Sequence, residues 1–400
     1  MPVLVLLSAF LEGIALTLIQ GYLPLYVRES LGEPRLFTVA LVVVVPALGT
    51  MLASNFWGGL SDVSGKLKPM ILIGIAGYAV ALAGIPFFSK GVPVLLYVGA
   101  ASLFYGCLGP LLKAYATLHR PDRTQHALAY VLMAQSTGWL VASLEGGRLM
   151  EQGIGTGLKA ALWITAGLVV FHFAAAAVFL RDKPRPPPLP RERVGWFAGV
   201  LADLKALYEN PKLLRLCVLA FLLYSGNFVV WGFFSVYYVE HLGASVRMLR
   251  FALAASAVFG IVMYLFVGPL VKRFGARRVL ATGVALYGGM YLAMGTMQSP
   301  LSTAVIFAIP LYGLTNVSAN ALAAEYSTER QRGGGLGILS GTIALSTIAG
   351  PLLGGALGDR WGLHLIPWVA FGFLVLALPI AYAIVRSDQG VGAAAEAGKG

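Results

Sequence analysis

The chain has 400 residues, of which 58% are hydrophobic and only 12% charged, with a mean hydropathy of +0.79. A soluble domain carries about 25% charged residues, so this composition argues against a soluble enzyme, a nucleic-acid binder or a disordered chain and for a helical protein that crosses a membrane repeatedly. The net charge is +12, from 29 Lys and Arg against 17 Asp and Glu. Cys107 and Cys217 both fall inside apolar runs and read as packing residues rather than a disulfide framework or a metal knuckle.

A membrane-crossing helix needs about 20 mostly apolar residues. Twelve runs meet that need, at 3–26, 36–60, 69–89, 92–118, 127–149, 157–180, 213–239, 248–271, 279–298, 301–325, 335–358 and 364–385. The first follows Met1-Pro2 with no basic stretch before it and is read as a span, not a cleaved signal. Gly109-Pro110 and Gly350-Pro351 lie inside runs, which membrane helices tolerate because neighbouring groups re-satisfy the backbone.

With the N-terminus in the cytoplasm, the cytoplasmic loops collect 20 Lys and Arg and the opposite loops 8, while Lys113 lies within a span. This bias predicts a multi-pass protein of the cytoplasmic (inner) membrane with both termini cytoplasmic. It also accounts for the basic charge without nucleic acid. The longest break, 181–212, begins RDKPRPPPLPRER, a stiff basic spacer. Val194–Tyr208 then alternates apolar and charged residues at helical spacing, placing Trp196, Phe197, Val200 and Leu204 for the membrane surface. The Gly- and Ala-rich tail from Ser387 is expected to be disordered.

The two halves resemble each other at a shift of about 210 residues. Gly58-Gly59-Leu60-Ser61-Asp62-Val63-Ser64-Gly65-Lys66-Leu67-Lys68 matches Gly268-Pro269-Leu270-Val271-Lys272-Arg273-Phe274-Gly275-Ala276-Arg277-Arg278. Tyr105-Gly106 matches Tyr312-Gly313, and Ala142-Ser143-Leu144-Glu145-Gly146-Gly147 matches Gly350-Pro351-Leu352-Leu353-Gly354-Gly355. The expected organisation is an all-α membrane protein: an N-terminal six-helix bundle (1–180), a cytoplasmic linker (181–212), a C-terminal six-helix bundle (213–386) and a tail (387–400). In such repeats the substrate sits at the interface of the halves near the bilayer midplane.

The twelve-span layout and the Gly-x-Leu-Ser-Asp-x-x-Gly-Lys segment after span 2 resemble the major facilitator superfamily over essentially the whole chain. Val63 and Leu67 stand where the family usually has basic residues, and Lys272 replaces the acid in the second copy. The resemblance implies that this loop latches the cytoplasmic side when the cavity faces outward, which makes Gly58, Asp62, Gly65, Lys66, Lys272, Arg273 and Gly275 candidate gating residues; the alternative is a topology signal alone. Gly350-Pro351 in span 11 resembles the family exporters' glycine-proline motif, which normally lies in span 5, where this chain has Ala142-Ser143.

Glu12, Lys113 and Glu145 are the charges clearly within spans. A charge at the bilayer centre costs about 2.5–3.5 kcal/mol on insertion scales, so such a group normally faces a cavity or a partner. Glu12 falls mid-bilayer, in a span that lines the cavity in the resembled fold. It is a candidate proton or substrate site, or a structural hydrogen-bonding group. Lys113 is a candidate for an anionic substrate group or for snorkelling towards the cytoplasm. Glu145 reads as an interfacial partner of Arg148 at helical spacing.

Tyr224, Asn227 and Trp231 share one helical face, as do Tyr312, Asn316 and Asn320. With Gln20 of span 1 they complete the candidate binding set. Amides and aromatics around one cavity suit a sugar-like or amphipathic ligand; inter-helix hydrogen bonding is the structural alternative. The five histidines lack metal-ligand spacing, His172 reads as structural, and no phosphate loop or nucleophile motif is present. The reading is therefore a secondary transporter, not an enzyme, with no cofactor and no metal. Its partners are a small-molecule substrate, protons and the lipid bilayer, and it acts as a monomer. Proton-coupled efflux leads; import or uniport of a sugar, nucleoside or carboxylate, lipid flipping, and a non-transporting receptor are the alternatives.

Overall fold

The computed structural model describes residues 3–64, 67–119, 124–180, 207–327 and 332–397. Side chains are described within these stretches except at 54–55, 58–59, 61–64, 107–119, 124–129, 132, 332–333 and 387–397. The described residues are almost entirely helical. We number the helices α1 (Val3–Ser30), α2 (Leu36–Ser64), α3 (Lys68–Phe87), α4 (Gly91–His119), α5 (124–150), α6 (Ile154–Phe179), α7 (Pro211–His241), α8 (Val246–Phe274), α9 (Ala276–Thr296), α10 (Pro300–Tyr326), α11 (Arg332–Trp361) and α12 (Ile366–Ala397). Ten of them are long and apolar enough, among the described residues, to cross a membrane. In α4 the described apolar stretch is Gly91–Gly106, and α5 occupies the place of the fifth predicted run. In lipid every backbone group must be satisfied within the chain, which is why these apolar runs fold as helices. Large apolar side chains such as Val80, Phe171, Leu265 and Val305 face outward, where lipid rather than water meets them.

The same pairings recur in both halves. In the first, α1 crosses α5, α2 packs on α4, and α3 on α6; in the second, α7 packs on α11, α8 on α10, and α9 on α12. Between the halves, α2 lies against α11 and α5 against α8. The amphipathic segment 194–208 lies almost entirely outside the described residues.

Several local features depart from uniform helices. α1 contains π-helical turns at Thr17–Tyr22 and Tyr26–Ser30, and α7 ends in one at Tyr237–His241. Such turns frequently mark functional sites. α10 breaks between Phe307 and Leu311, where Pro310 lacks an N–H and its ring would clash with the preceding turn. Gly333-Gly334-Gly335, whose sequence reads as a flexible entry, lies inside the first turn of α11. α12 runs to Ala397, through the segment read as a disordered tail; alanine, frequent there, is the strongest helix former.

Candidate functional site

The linker joins the halves at one end of the molecule, here called the linker end; the turns at 31–35, 151–153, 242–245 and 362–365 mark the distal end. The site is built where α1, α4 and α5 of the first half meet α7 and α10 of the second. Glycine brings α1 and α5 together: a Cβ on Gly13 would collide with the backbone carbonyl of Gln135, and one on Gly138 with that of Phe10. This close approach places Glu12 on polar partners. Tyr105 of α4 donates a short hydrogen bond to its carboxylate, and Gln135 of α5 donates another at 2.9 Å. Tyr78 of α3 packs beside Tyr105, with ring centroids 5.5 Å apart. Of this cluster only Glu12 stands out in the sequence, because a carboxyl in an apolar run is anomalous whereas a lone Tyr or Gln is not.

One turn-pair towards the distal end lies an aromatic layer that spans both halves. Trp231 of α7 donates its indole N–H to Gln20 of α1 at 3.3 Å. Its ring lies 5.2 Å from Trp139 of α5 and stacks on Phe307 of α10 at 5.6 Å. Phe307 in turn stacks on Phe234. Gln20 and Trp231 are thus brought together from opposite halves; Trp139 and Phe307 carry no sequence signal beyond being aromatic in apolar runs.

The polar residues of the second half take different positions. Tyr224 is fully buried, its ring against Tyr312 at 6.1 Å. Asn227 accepts a short hydrogen bond from Tyr291 of α9. Tyr312 is 45% exposed, and Asn316 donates to its hydroxyl at 3.2 Å. Asn320 donates back to the carbonyl of Asn316 at 2.8 Å. So Tyr312, Asn316 and Asn320 form one continuous stripe, whereas Asn227 is engaged with α9 inside its own half.

The distal end is held by charges that join the halves. Arg28, at the end of α1, makes a two-point contact with Glu240 at the end of α7, at 2.6 and 2.7 Å. Its remaining nitrogen donates to the carbonyls of Glu33 and Pro34. The Asp359 carboxylate of α11 accepts from the N–H of Leu36 at 2.5 Å and of Phe37 at 3.1 Å, the first residues of α2. Glu151, just past α5, pairs with Arg247 at 3.2 Å and Arg250 at 3.0 Å in the first turns of α8. The contacts described above between the halves lie at the Gln20–Trp231 level or on its distal side.

Of the candidate gating residues, Lys272 and Arg273 are exposed at the end of α8, and Gly275 adopts the left-handed φ of +81° that closes that helix. The side-chain surroundings of Gly58, Asp62, Cys107 and Lys113 are outside what the structure describes, and Gly65 and Lys66 lie outside the described residues. Glu145 pairs with Arg148 at 3.8 Å on an exposed surface. His172 is buried, 2.9 Å from the Ser8 hydroxyl, and Cys217 is buried in the core.

Two related helical halves, a mid-depth carboxyl and an aromatic layer bridging the halves define a multi-pass membrane transporter. The chain belongs to the MFS_1 like family, whose model matches residues 10–366, and so to the major facilitator type. It is 26% identical over 380 residues to the multidrug resistance protein MdtG of Citrobacter koseri, covering 92% of this chain and 91% of that protein. The protein of the same name from Rahnella sp. is 26% identical over 386 residues, covering 91% and 88%. Among solved structures, the nucleoside transporter NupG superposes with a TM-score of 0.78 at 14% identity, over 96% of this chain and 99% of that one. A bacterial homolog of the human lysosomal transporter Spinster, in an inward-facing and unoccupied conformation, gives 0.71 at 15% identity over 96% and 95%. These likenesses at low identity show the fold alone. The chain is a secondary transporter of small molecules, not an enzyme.

Proposed function

We propose that the chain is a proton-coupled exporter of small amphipathic compounds in the bacterial inner membrane, working as a monomer by alternating access, with both termini and the linker in the cytoplasm. The observation that carries this reading is the closure of the distal end by charged contacts between the halves. They meet at the distal end and at the Gln20–Trp231 layer, while Tyr312 on the linker side of that layer is substantially exposed. In this reading the closed distal end faces the outside, and the substrate face is reached from the cytoplasm.

Glu12 is the proton site in this reading. It sits at mid-depth, and donors to it come from α4 and α5. Rocking of the helices changes the distance to those donors and the access of water, so loading and release of a proton are tied to which side is open. Trp231, Gln20 and the Tyr312–Asn316–Asn320 stripe form the substrate face, which combines a flat apolar surface with amide and phenol groups. Efflux is favoured by the relatives named for multidrug resistance, which are aligned over nine-tenths of the chain.

The test is a flux screen in sealed vesicles containing the purified protein and a pH-sensitive dye, across a panel of fluorescent amphipathic compounds, sugars and nucleosides, with and without an imposed pH gradient. Movement of an amphipathic compound against its gradient, with proton counter-movement, is the expected result. Transport of a sugar or nucleoside alone, indifferent to the pH gradient, would replace this reading with a uniporter.

A further inference from the structure

The segment at the end of α2, Gly58-x-Leu60-x-Asp62-x-x-Gly65, has its echo at the end of α8, Gly268-x-Leu270-x-Lys272-x-x-Gly275. The same arrangement stands at the ends of two other helices: Gly355-x-Leu357-x-Asp359-x-x-Gly362 closes α11, and Gly147-x-Leu149-x-Glu151-x-Gly153 closes α5, one residue shorter. Each is a glycine, a leucine two residues on, a charge two further, and a closing glycine. Gly275 and Gly362 share a backbone conformation as well as a place, with φ of +81° and +96°, and Gly153 also has a positive φ, +150°, where glycine is favoured. So the sequence pattern stands at four helix ends, two at the linker end (α2, α8) and two at the distal end (α5, α11), and in α5, α8 and α11 it is followed by a closing glycine of positive φ.

We propose that the turns closing α5 and α11 are the distal latches of the transport cycle, and that Glu151 and Asp359 are the residues that hold the outer end shut. This inference builds on the alternating-access reading and goes beyond it by assigning the outer end its own pair of motifs. The two acids engage the opposite half in related ways. Asp359 binds the N–H groups of Leu36 and Phe37, orphan donors at the positive end of α2. Glu151 binds Arg247 and Arg250 in the first turns of α8. In each case the acid at one helix end meets the beginning of a helix from the other half.

The first glycines let the helices come close enough for this. A Cβ on Gly355 would lie 2.9 Å from the Cα of Phe37, and one on Gly358 2.8 Å from the Leu36 side chain. A Cβ on Gly147 would strike the Arg250 side chain and lie 2.6 Å from the Tyr22 hydroxyl. At the linker end the first glycine of the α8 copy, Gly268, has nothing within 4 Å of where its Cβ would be. The motif is therefore packed against the other half at the distal end and unpacked at Gly268 of α8, as expected if it engages only when its own end is closed. Opening the outer end requires Asp359 to leave the α2 backbone and Glu151 to leave both arginines.

The experiment measures spin-label distances across each end in the full-length protein, with Cys107 and Cys217 replaced by alanine. Labels at Thr156 and Gln298 report on the distal end, and labels at Phe179 and Arg278 on the linker end; all four sites are exposed. Asp359→Asn and Glu151→Gln keep the side-chain shape and remove the charge. Each should lengthen the distal distance and shorten the linker-end distance, changing the ratio of the two populations on the order of tenfold, as loss of a hydrogen bond to a charged group implies. Arg28→Gln is the reference. If it moves both distances while Asp359→Asn and Glu151→Gln move neither, the latch assignment is wrong and the rocking of the halves stands. If no variant moves either distance, alternating access itself fails and the latches fail with it.

Discussion

Arg28→Gln is the most direct perturbation of the closed distal end. The guanidinium makes two short contacts with Glu240, at 2.6 and 2.7 Å, and the side chains are 21% and 32% exposed. A fully exposed pair contributes about 0.2–1 kcal/mol, and a hydrogen bond to a charged group away from water about 1.5–3 kcal/mol. Partial exposure and two-point geometry put this pair between those limits, at about 1–2 kcal/mol. Because the pair joins the ends of α1 and α7, the energy bears on the balance between closed and open forms, and its loss shifts that balance about 5- to 30-fold. The reporter is Ser235, 3% exposed and one turn distal to Trp231 on α7. In a chain carrying Ser235→Cys as its one cysteine, Arg28→Gln should raise the rate of thiol labelling by that factor. Raising the ionic strength should speed labelling of the unsubstituted pair and leave the variant nearly unchanged, since salt screens ion pairs. An unchanged labelling rate in the variant would refute the argument that this pair keeps the distal end closed.

Two further outcomes follow from packing. Gly138→Leu drives a side chain into the backbone of α1 at Phe10; the overpacking should cost about 1–3 kcal/mol and lower the melting temperature of the purified protein, and a melting curve equal to that of the parent would show that the helices do not cross there. Trp231→Ala removes the centre of the aromatic layer, so Ser235→Cys should become reactive without any change in the distances between the halves, and Trp231→Phe should restore protection. If reactivity rises only together with a change in those distances, the layer is not a separate barrier.

Much of the architecture is legible in the sequence because the membrane imposes a length on each apolar run, and the shift between halves is written in residues such as Gly58 and Gly268. Glu12 is visible because a charge in such a run is costly, and the Glu145–Arg148 pair because helical spacing fixes it. What escapes is set by tertiary geometry. Tyr105 and Gln135 lie 93 and 123 residues from Glu12 in the chain, and nothing local marks them as its partners. Nothing local marks Asp359, whose carboxylate binds the backbone of Leu36, 323 residues away in the chain. Asn227 shares a face with Trp231 by spacing, yet its amide turns to Tyr291. The break in α10 has its signal in Pro310, but membrane helices carry proline so often that the residue alone does not announce a break.

Coupling at Glu12 is the central claim, and one comparison tests it most directly. Sealed vesicles containing the parent protein or Glu12→Gln are loaded with an amphipathic compound found to be transported by the parent, and two quantities are followed in each: accumulation driven by an imposed pH gradient, and exchange of labelled for unlabelled compound at equal concentrations. The account predicts that Glu12→Gln loses gradient-driven accumulation and continues to exchange. Accumulation by Glu12→Gln at the parent's level would contradict it.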